Sequence, residues 1–94
     1  MSVVVISPAP GVGPEQDAQM VAALDLENKP PTGGQQRIAG PTDAGWRIIS
    51  VWDSEEAFDA FVRDRLTPML EQAGRATPEF EISPIESMIT LRDD

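Results

Sequence analysis

The order of apolar segments along the chain predicts an α+β protein. It is a ferredoxin-like βαββαβ unit, with a four-stranded antiparallel sheet and two helices on one face. Three observations carry this reading. A run of β-branched residues, Val3 to Ile6, is followed by a segment with the spacing of a helix. The stretch Gly45 to Phe61 runs from an alternating strand straight into a capped amphipathic helix. A last extended segment, from Phe80 to Ile89, closes the pattern. With 94 residues the chain is expected to form a single domain over 1–94. That is close to the smallest size one core supports, with roughly 60–70% of the unfolded surface buried, so association that covers more apolar surface would help it.

The first strand, Val3 to Ile6, is apolar on both faces and ends before Pro8 and Pro10. Gly11-Val12-Gly13 lies between strand and helix, where a dinucleotide loop would, but Gln16 takes the place of the third glycine. Pro10 and Pro14 also remove donors that a phosphate needs, so the segment reads as a turn. Pro14 suits the first position of a helix, Glu15 and Asp17 favour its positive end, and Met20, Val21 and Leu24 share a side. Leu26 to Gly34 is a loop. Gln35 to Ala39 and Trp46 to Trp52 form a hairpin around the turn residues Gly40 to Gly45. Asp53, with Glu56 three residues on, or else Ser54, caps the second helix.

In that helix Phe58, Phe61, Val62 and Leu66 form one apolar stripe, with Asp59 and Arg63 spaced as an i, i+4 pair outside it. Arg63-Asp64-Arg65 reads as a solvated face. Pro68 lacks the N–H an unbroken helix requires, so the helix should kink or restart at Thr67-Pro68, and Gly74 should end it. Phe80 and Ile82 alternate with Glu79 and Glu81. After Pro84, Ile85, Ser87 and Ile89 alternate with Glu86, Met88 and Thr90, continuing the extended pattern to residue 90.

Alternation divides the third strand into Arg47, Ile49 and Val51 on one face and Trp46, Ile48, Ser50 and Trp52 on the other. If the hairpin places Arg37 opposite Ser50, the second group shares its face with Gln35, Arg37 and Ala39. Two tryptophans and an isoleucine beside a few polar groups have the makeup of a ligand pocket, so Trp46, Trp52, Ile48 and Gln35 are candidate ligand-binding residues. Burial of both tryptophans at a subunit contact is the competing reading. The helices leave one sheet face open. Trp46, Ile48 and Trp52 are expected on it, covered in a homodimer. An Arg37 facing the cavity would need a counter-charge, for which Glu86 is the expected partner; separate solvation of the two is the alternative.

Composition removes whole classes of chemistry. Sixteen acidic and seven basic residues give a formal charge of −9, which repels nucleic acid and anionic membranes. No apolar run approaches the roughly 20 residues of a spanning helix and no leader pattern is present, so a cytoplasmic, acidic protein is expected. The chain has no Cys, His or Tyr. That excludes disulfides, thiolate or imidazole catalysis and His/Cys metal sites; no metal and no cofactor is expected. Any catalysis must then use Arg, Asp, Glu, Ser, Thr, Asn, Gln, Trp or backbone groups, with Arg37, Glu86 and Ser50 as the candidates. Glu79 and Glu81 alternate with apolar residues and are expected to be solvent-exposed.

The run Ile38-Ala39-Gly40-Pro41-Thr42, Gly45-Trp46-Arg47, Val51-Trp52-Asp53-Ser54, Ala57-Phe58 and Leu66-Thr67-Pro68 resembles small actinobacterial proteins of the dimeric α/β-barrel superfamily, near the antibiotic-biosynthesis-monooxygenase-like families. The resemblance covers residues 35–90 well and the first strand and helix loosely. It implies a protomer whose sheet closes with a partner's into a dimeric α/β barrel, in a superfamily that includes cofactor-independent monooxygenases, polyketide cyclases and many members of unknown role. In that family His often stands at the position of Arg37 and His-Asn at the positions of Glu86-Ser87, so an imidazole mechanism does not carry over. Two functions follow. One is a cofactor-independent monooxygenase or cyclase acting on a small hydrophobic, oxygenated molecule, with Trp46 and Trp52 holding its rings, Arg37 stabilising an enolate or carboxylate, and Glu86 or Ser50 moving a proton. The other is a non-catalytic dimer that binds a ligand or a protein.

Overall fold

A computed structural model describes residues 1–92 and has the elements β1 (Val3–Ala9), α1 (Pro14–Leu24), β2 (Gly34–Thr42), β3 (Gly45–Trp52), α2 (Glu55–Phe61), α3 (Thr67–Gln72) and β4 (Glu81–Pro84). The strands form one antiparallel sheet in the order β2-β3-β1-β4, the ferredoxin-like arrangement. β1 runs three residues beyond Ile6, through Pro8. A proline is tolerated there because β4 pairs with β1 only as far as Ile6, so one side of Pro8 has no strand to receive a hydrogen bond. The hairpin strands also run longer than the turn residues indicate. Thr42 pairs with Gly45, and the Thr42 hydroxyl donates to the Gly45 carbonyl at 3.2 Å and accepts from the Ala44 N–H at 3.2 Å. Gly45 sits at φ +126°, where a side chain would be strained.

Helix ends are satisfied locally. The Gly13 N–H donates to Gln16 Oε1 at 3.0 Å at the start of α1. At its other end Asp25 turns left-handed, and the Arg65 guanidinium donates to the Leu24 carbonyl while lying 5.7 Å from the centre of the Phe61 ring. Arg65 is therefore a brace between helices, not part of a solvated face. Ser54 rather than Asp53 caps α2, its hydroxyl accepting from the Ala57 N–H at 3.1 Å.

Between α2 and α3 the backbone stays helical but widens into a π-turn over Val62–Leu66, where the Thr67 N–H reaches back to the Val62 carbonyl. Regular α-helix restarts at Thr67, the residue before Pro68, so the interruption predicted from the proline takes the form of a π-turn. The wider turn disturbs the α-helical offset between Asp59 and Arg63. Arg63 instead pairs with its exposed neighbour Asp64 at 2.9 Å.

The core lies between the helices and one sheet face. Val3, Val5, Trp52 and Phe58 form its first cluster and Leu24, Leu66 and Leu70 its second; Phe61, Val62 and Phe80 pack against both. Opposed residues share a face, so the partners Val3↔Trp52, Val5↔Ser50, Ser7↔Ile48 and Ala9↔Trp46 set Trp46, Ile48, Ser50 and Trp52 on the helix-covered side. The expectation that Trp46, Ile48 and Trp52 occupy the open face is thereby corrected. Alternation fixes which residues share a face, but both faces of β3 are apolar, and nothing local to the strand decides which one the helices cover. The open face carries Val4, Ile6, Ile38, Ile49 and Val51 instead, with Ile38 57% exposed.

β4 also ends early. The alternation after Pro84 predicts a strand to residue 90, but β4 stops at Pro84, opposite Val3 near the start of β1. Beyond the bond from the Ile85 N–H to the Ser2 carbonyl there is no neighbouring strand to pair with. Met88, Ile89 and Leu91 are exposed on the segment that follows.

Candidate functional site

A cavity of about 600 Å³ opens between the helix-facing side of the sheet and the helices, within the range of small-molecule sites. Its helical wall is apolar: Met20, Val21 and Leu24 from α1, then Phe58, Phe61 and Leu66 from the second helical stretch. The sheet wall carries the polar groups Ser7, Arg37 and Ser50 beside Val5, Ile48 and Trp52. The loop between α1 and β2 borders it through Pro30 and Pro31 and is tied down by the bond from the Asp53 N–H to the Gly33 carbonyl at 2.7 Å. A side chain at Gly33 would place Cβ 2.6 Å from that of Ala57, so the loop approaches α2 as closely as it does only with glycine there.

The candidate residues divide clearly. Arg37 lies opposite Ser50, the register on which the grouping of Arg37 with the β3 residues depended, and Ile48, Ser50, Trp52, Arg37 and Gln35 all border the cavity. Trp52 is 4% exposed, packs against Phe58 and Phe61 at ring-centre distances of 5.4 and 5.1 Å, and donates its Nε1–H to Ser50 Oγ at 2.9 Å. Gln35 sits at an irregularity in the β2–β3 pairing, and its amide donates to Asp53 Oδ1 at 2.7 Å. Trp46 lies outside the cavity lining, its Nε1–H bonded to Asp17 Oδ1 at 3.3 Å.

Glu86 is exposed beyond the end of β4 and does not pair with Arg37. The counter-charge comes from α1. Arg37 donates from both terminal nitrogens to Asp17, at 2.6 and 3.1 Å, with the two side chains 24% and 14% exposed. Expecting Glu86 failed because the strand it was placed on ends before it. Asp17 had a signal in the sequence: it stands three, four and seven residues before Met20, Val21 and Leu24, so it occupies the apolar face of α1 rather than merely its charged start. Ser7 had one too, continuing the buried alternation Val3, Val5.

The hydrogen bonds from Arg37 hold the Asp17 carboxyl below its ordinary value of 3.8, against an opposing push from burial and with a further contribution from the Trp46 N–H. Asp17 is therefore an ionised positioning group for Arg37 and a poor proton acceptor. The sign of the linkage follows: a carboxylate depressed by folding stabilises the fold at pH values above about 4, and that contribution disappears as pH falls through the lower native value. Arg37→Ala and Asp17→Ala should each cost about 1.5–3 kcal/mol, the range for hydrogen bonds to charged groups. The double variant should lose clearly less than the sum. Urea unfolding at pH 7 and pH 3 checks both: additive losses, or an Asp17→Asn variant whose stability falls with acid as steeply as the wild type, would remove the pair.

Neither a protein-family model nor a curated protein matches the chain. Solved structures do. A heme-degrading protein from Mycobacterium tuberculosis, in its heme-free form, is similar with a TM-score of 0.66 and 20% identity over 96% of this chain and 100% of that one. A cofactor-independent oxygenase from Streptomyces nogalater gives 0.63 and 15% over 98% and 97%. An antibiotic biosynthesis monooxygenase, so described, from Chloroflexus aurantiacus gives 0.61 and 17% over 94% and 97%.

The chain has the ferredoxin-like fold of the antibiotic-biosynthesis-monooxygenase-like proteins. What this chain adds to that fold is its own set of side chains: one guanidinium held by an internal carboxylate, two serines and an aromatic wall. No helix is long and apolar enough to cross a membrane among the described residues.

Proposed function

We propose that this protein binds a small hydrophobic, oxygenated molecule in the cavity between sheet and helices, as a homodimer joined through the open sheet face. The observation that carries the reading is the division of the cavity into an apolar helical wall and a sheet wall bearing Arg37 and Ser50. Asp17 takes two of the five guanidinium donors of Arg37 and fixes its plane; the rest are available to a carboxylate or enolate. Trp52, Phe58 and Phe61 offer ring faces and edges to the apolar body of the ligand.

The catalytic form of this reading is a cofactor-independent monooxygenase or cyclase in which Arg37 stabilises an enolate. Against it stands the lack of a free, buried proton acceptor. The chain has no His, Cys or Tyr, Glu86 lies outside the cavity, Asp17 is engaged by Arg37, and Glu27, the carboxylate that does border the cavity, is solvent-exposed. Binding without turnover is therefore the second reading. Heme, which the mycobacterial protein degrades, fits this chain poorly, since the usual axial ligands are His, Cys, Tyr or Met paired with His. No step is assigned to it.

Calorimetric titration with 2-naphthoate, an aromatic carboxylate, tests the cavity. The wild type should bind it, and Arg37→Ala should weaken binding by roughly 10- to 100-fold, the value of one or two charge-assisted hydrogen bonds. Equal affinity for both proteins would remove Arg37 from recognition. Oxygen uptake with an enolisable aromatic substrate separates the two readings: turnover supports the enzyme, and binding without uptake supports the binder.

A further inference from the structure

Ser7 is the buried polar residue among those described, 6% exposed, and it sits on the sheet wall of the cavity beside Val5. No hydrogen bond among the described residues uses its hydroxyl. Yet it is not among atoms sealed from solvent without a partner, so the group is turned toward the cavity space. With no protein partner, the hydroxyl can be satisfied only by solvent in the cavity, and a ligand that displaces that solvent must replace the hydrogen bond or leave the group unpaired at a cost in free energy. A serine that merely filled space here would be replaced by alanine at no loss.

Its position relates it to the other polar groups. Ser7 lies opposite Ile48 and Val5 lies opposite Ser50, so Ser7 and Ser50 are diagonal neighbours on one face of adjacent strands, about 7–8 Å apart. Arg37 is directly across from Ser50 on the far side. The three form an oblique polar line across the sheet, facing an apolar helical wall.

We infer that Ser7 is a specificity-determining residue that hydrogen-bonds an oxygen of the ligand, on the part of the molecule farthest from the anionic group held by Arg37. The inference rests on the cavity being the ligand site and sharpens the ligand class. It is a flat, largely apolar molecule with oxygens along one edge, that edge lying on the sheet and its body against Phe58 and Phe61. A ligand oxygenated only at its anionic end leaves Ser7 unpaired and binds less tightly.

The test pairs 6-hydroxy-2-naphthoate with 2-naphthoate, which differ by one hydroxyl remote from the carboxylate, in calorimetric titrations of the wild type, Ser7→Ala and Ser7→Thr. The wild type should prefer the hydroxylated probe by roughly tenfold, about one hydrogen bond. Ser7→Ala should erase the preference, and Ser7→Thr, which keeps the hydroxyl, should retain it. Without ligand, Ser7→Ala should melt close to the wild-type temperature, because no hydrogen bond within the protein is lost. Two binding probes with no preference in the wild type would overturn the role of Ser7 and leave the cavity reading standing. A marked fall in melting temperature for Ser7→Ala would show a structural hydroxyl and overturn it as well. Failure of both probes to bind the wild type would overturn the cavity reading and Ser7 with it.

Discussion

Trp52→Ala should lower the stability of the fold by about 3–5 kcal/mol, the cost of truncating a large buried aromatic. Trp52 joins three parts of the molecule at once. It pairs across the sheet with Val3 and Gly34, packs against Phe58 and Phe61, and is linked through its indole N–H to Ser50. Alanine removes the ring and opens its space into a cavity that already exists, so little collapse can compensate. In a domain whose total stability is about 5–15 kcal/mol, this should bring a large drop in the thermal midpoint measured by circular dichroism. Phe58→Ala should behave alike, since Phe58 also meets Phe80 edge-on at 4.9 Å. A loss below about 1 kcal/mol at Trp52 would contradict the packing described.

Ile49→Asp should abolish the proposed dimer. Ile49 stands on the central strand β3 between Ile6 of β1 and Ile38 of β2, in a row of three isoleucines across the open face. A small domain gains from covering such a face, and a two-fold contact would bring two copies of the same row together. Aspartate there would bury like charges of two chains near each other, each already at a formal charge of −9. Sedimentation at micromolar concentration should give about twice the chain mass of 10.2 kDa for the wild type and the single mass for the variant. A wild type that sediments as a monomer, or a variant that stays dimeric, would sink the interface.

Local chemistry made most of the fold legible, and long-range placement accounts for what it missed. Pro14, Ser54, Pro68 and Gly74 mark helix boundaries through missing donors, capping oxygens and positive φ, all of which act within a few residues. Period-two alternation grouped Arg37 with Ser50, Ile48 and Trp52 because strand geometry leaves no other choice once the hairpin is set. Which face the helices cover is a property of packing, and both faces of β3 carried isoleucine or tryptophan. The end of β4 depends on how far β1 extends beside it, information held eighty residues away. The placement of Glu86 fails for the same reason: its alternation suited a strand, but β4 ends at Pro84. Asp17 was visible as an acid at a helix start, but its meeting with Arg37 and Trp46 requires knowing how α1 lies across the sheet.

The pairing of Arg37 with Asp17 also bears on how a ligand would arrive. Together the two side chains carry no net charge, the exposed Arg75 and Glu27 at the cavity border are of opposite sign, and the remaining surface of a chain at −9 is repulsive to anions. An anionic molecule would thus meet no electrostatic funnel during encounter. It would approach against a mild barrier, weakened as salt shortens the Debye length below about 8 Å, and would be recognised only at contact, by the direction of N–H donors rather than by attraction at range. Such a site selects by fit after collision, with modest arrival rates and discrimination expressed in how long each molecule stays.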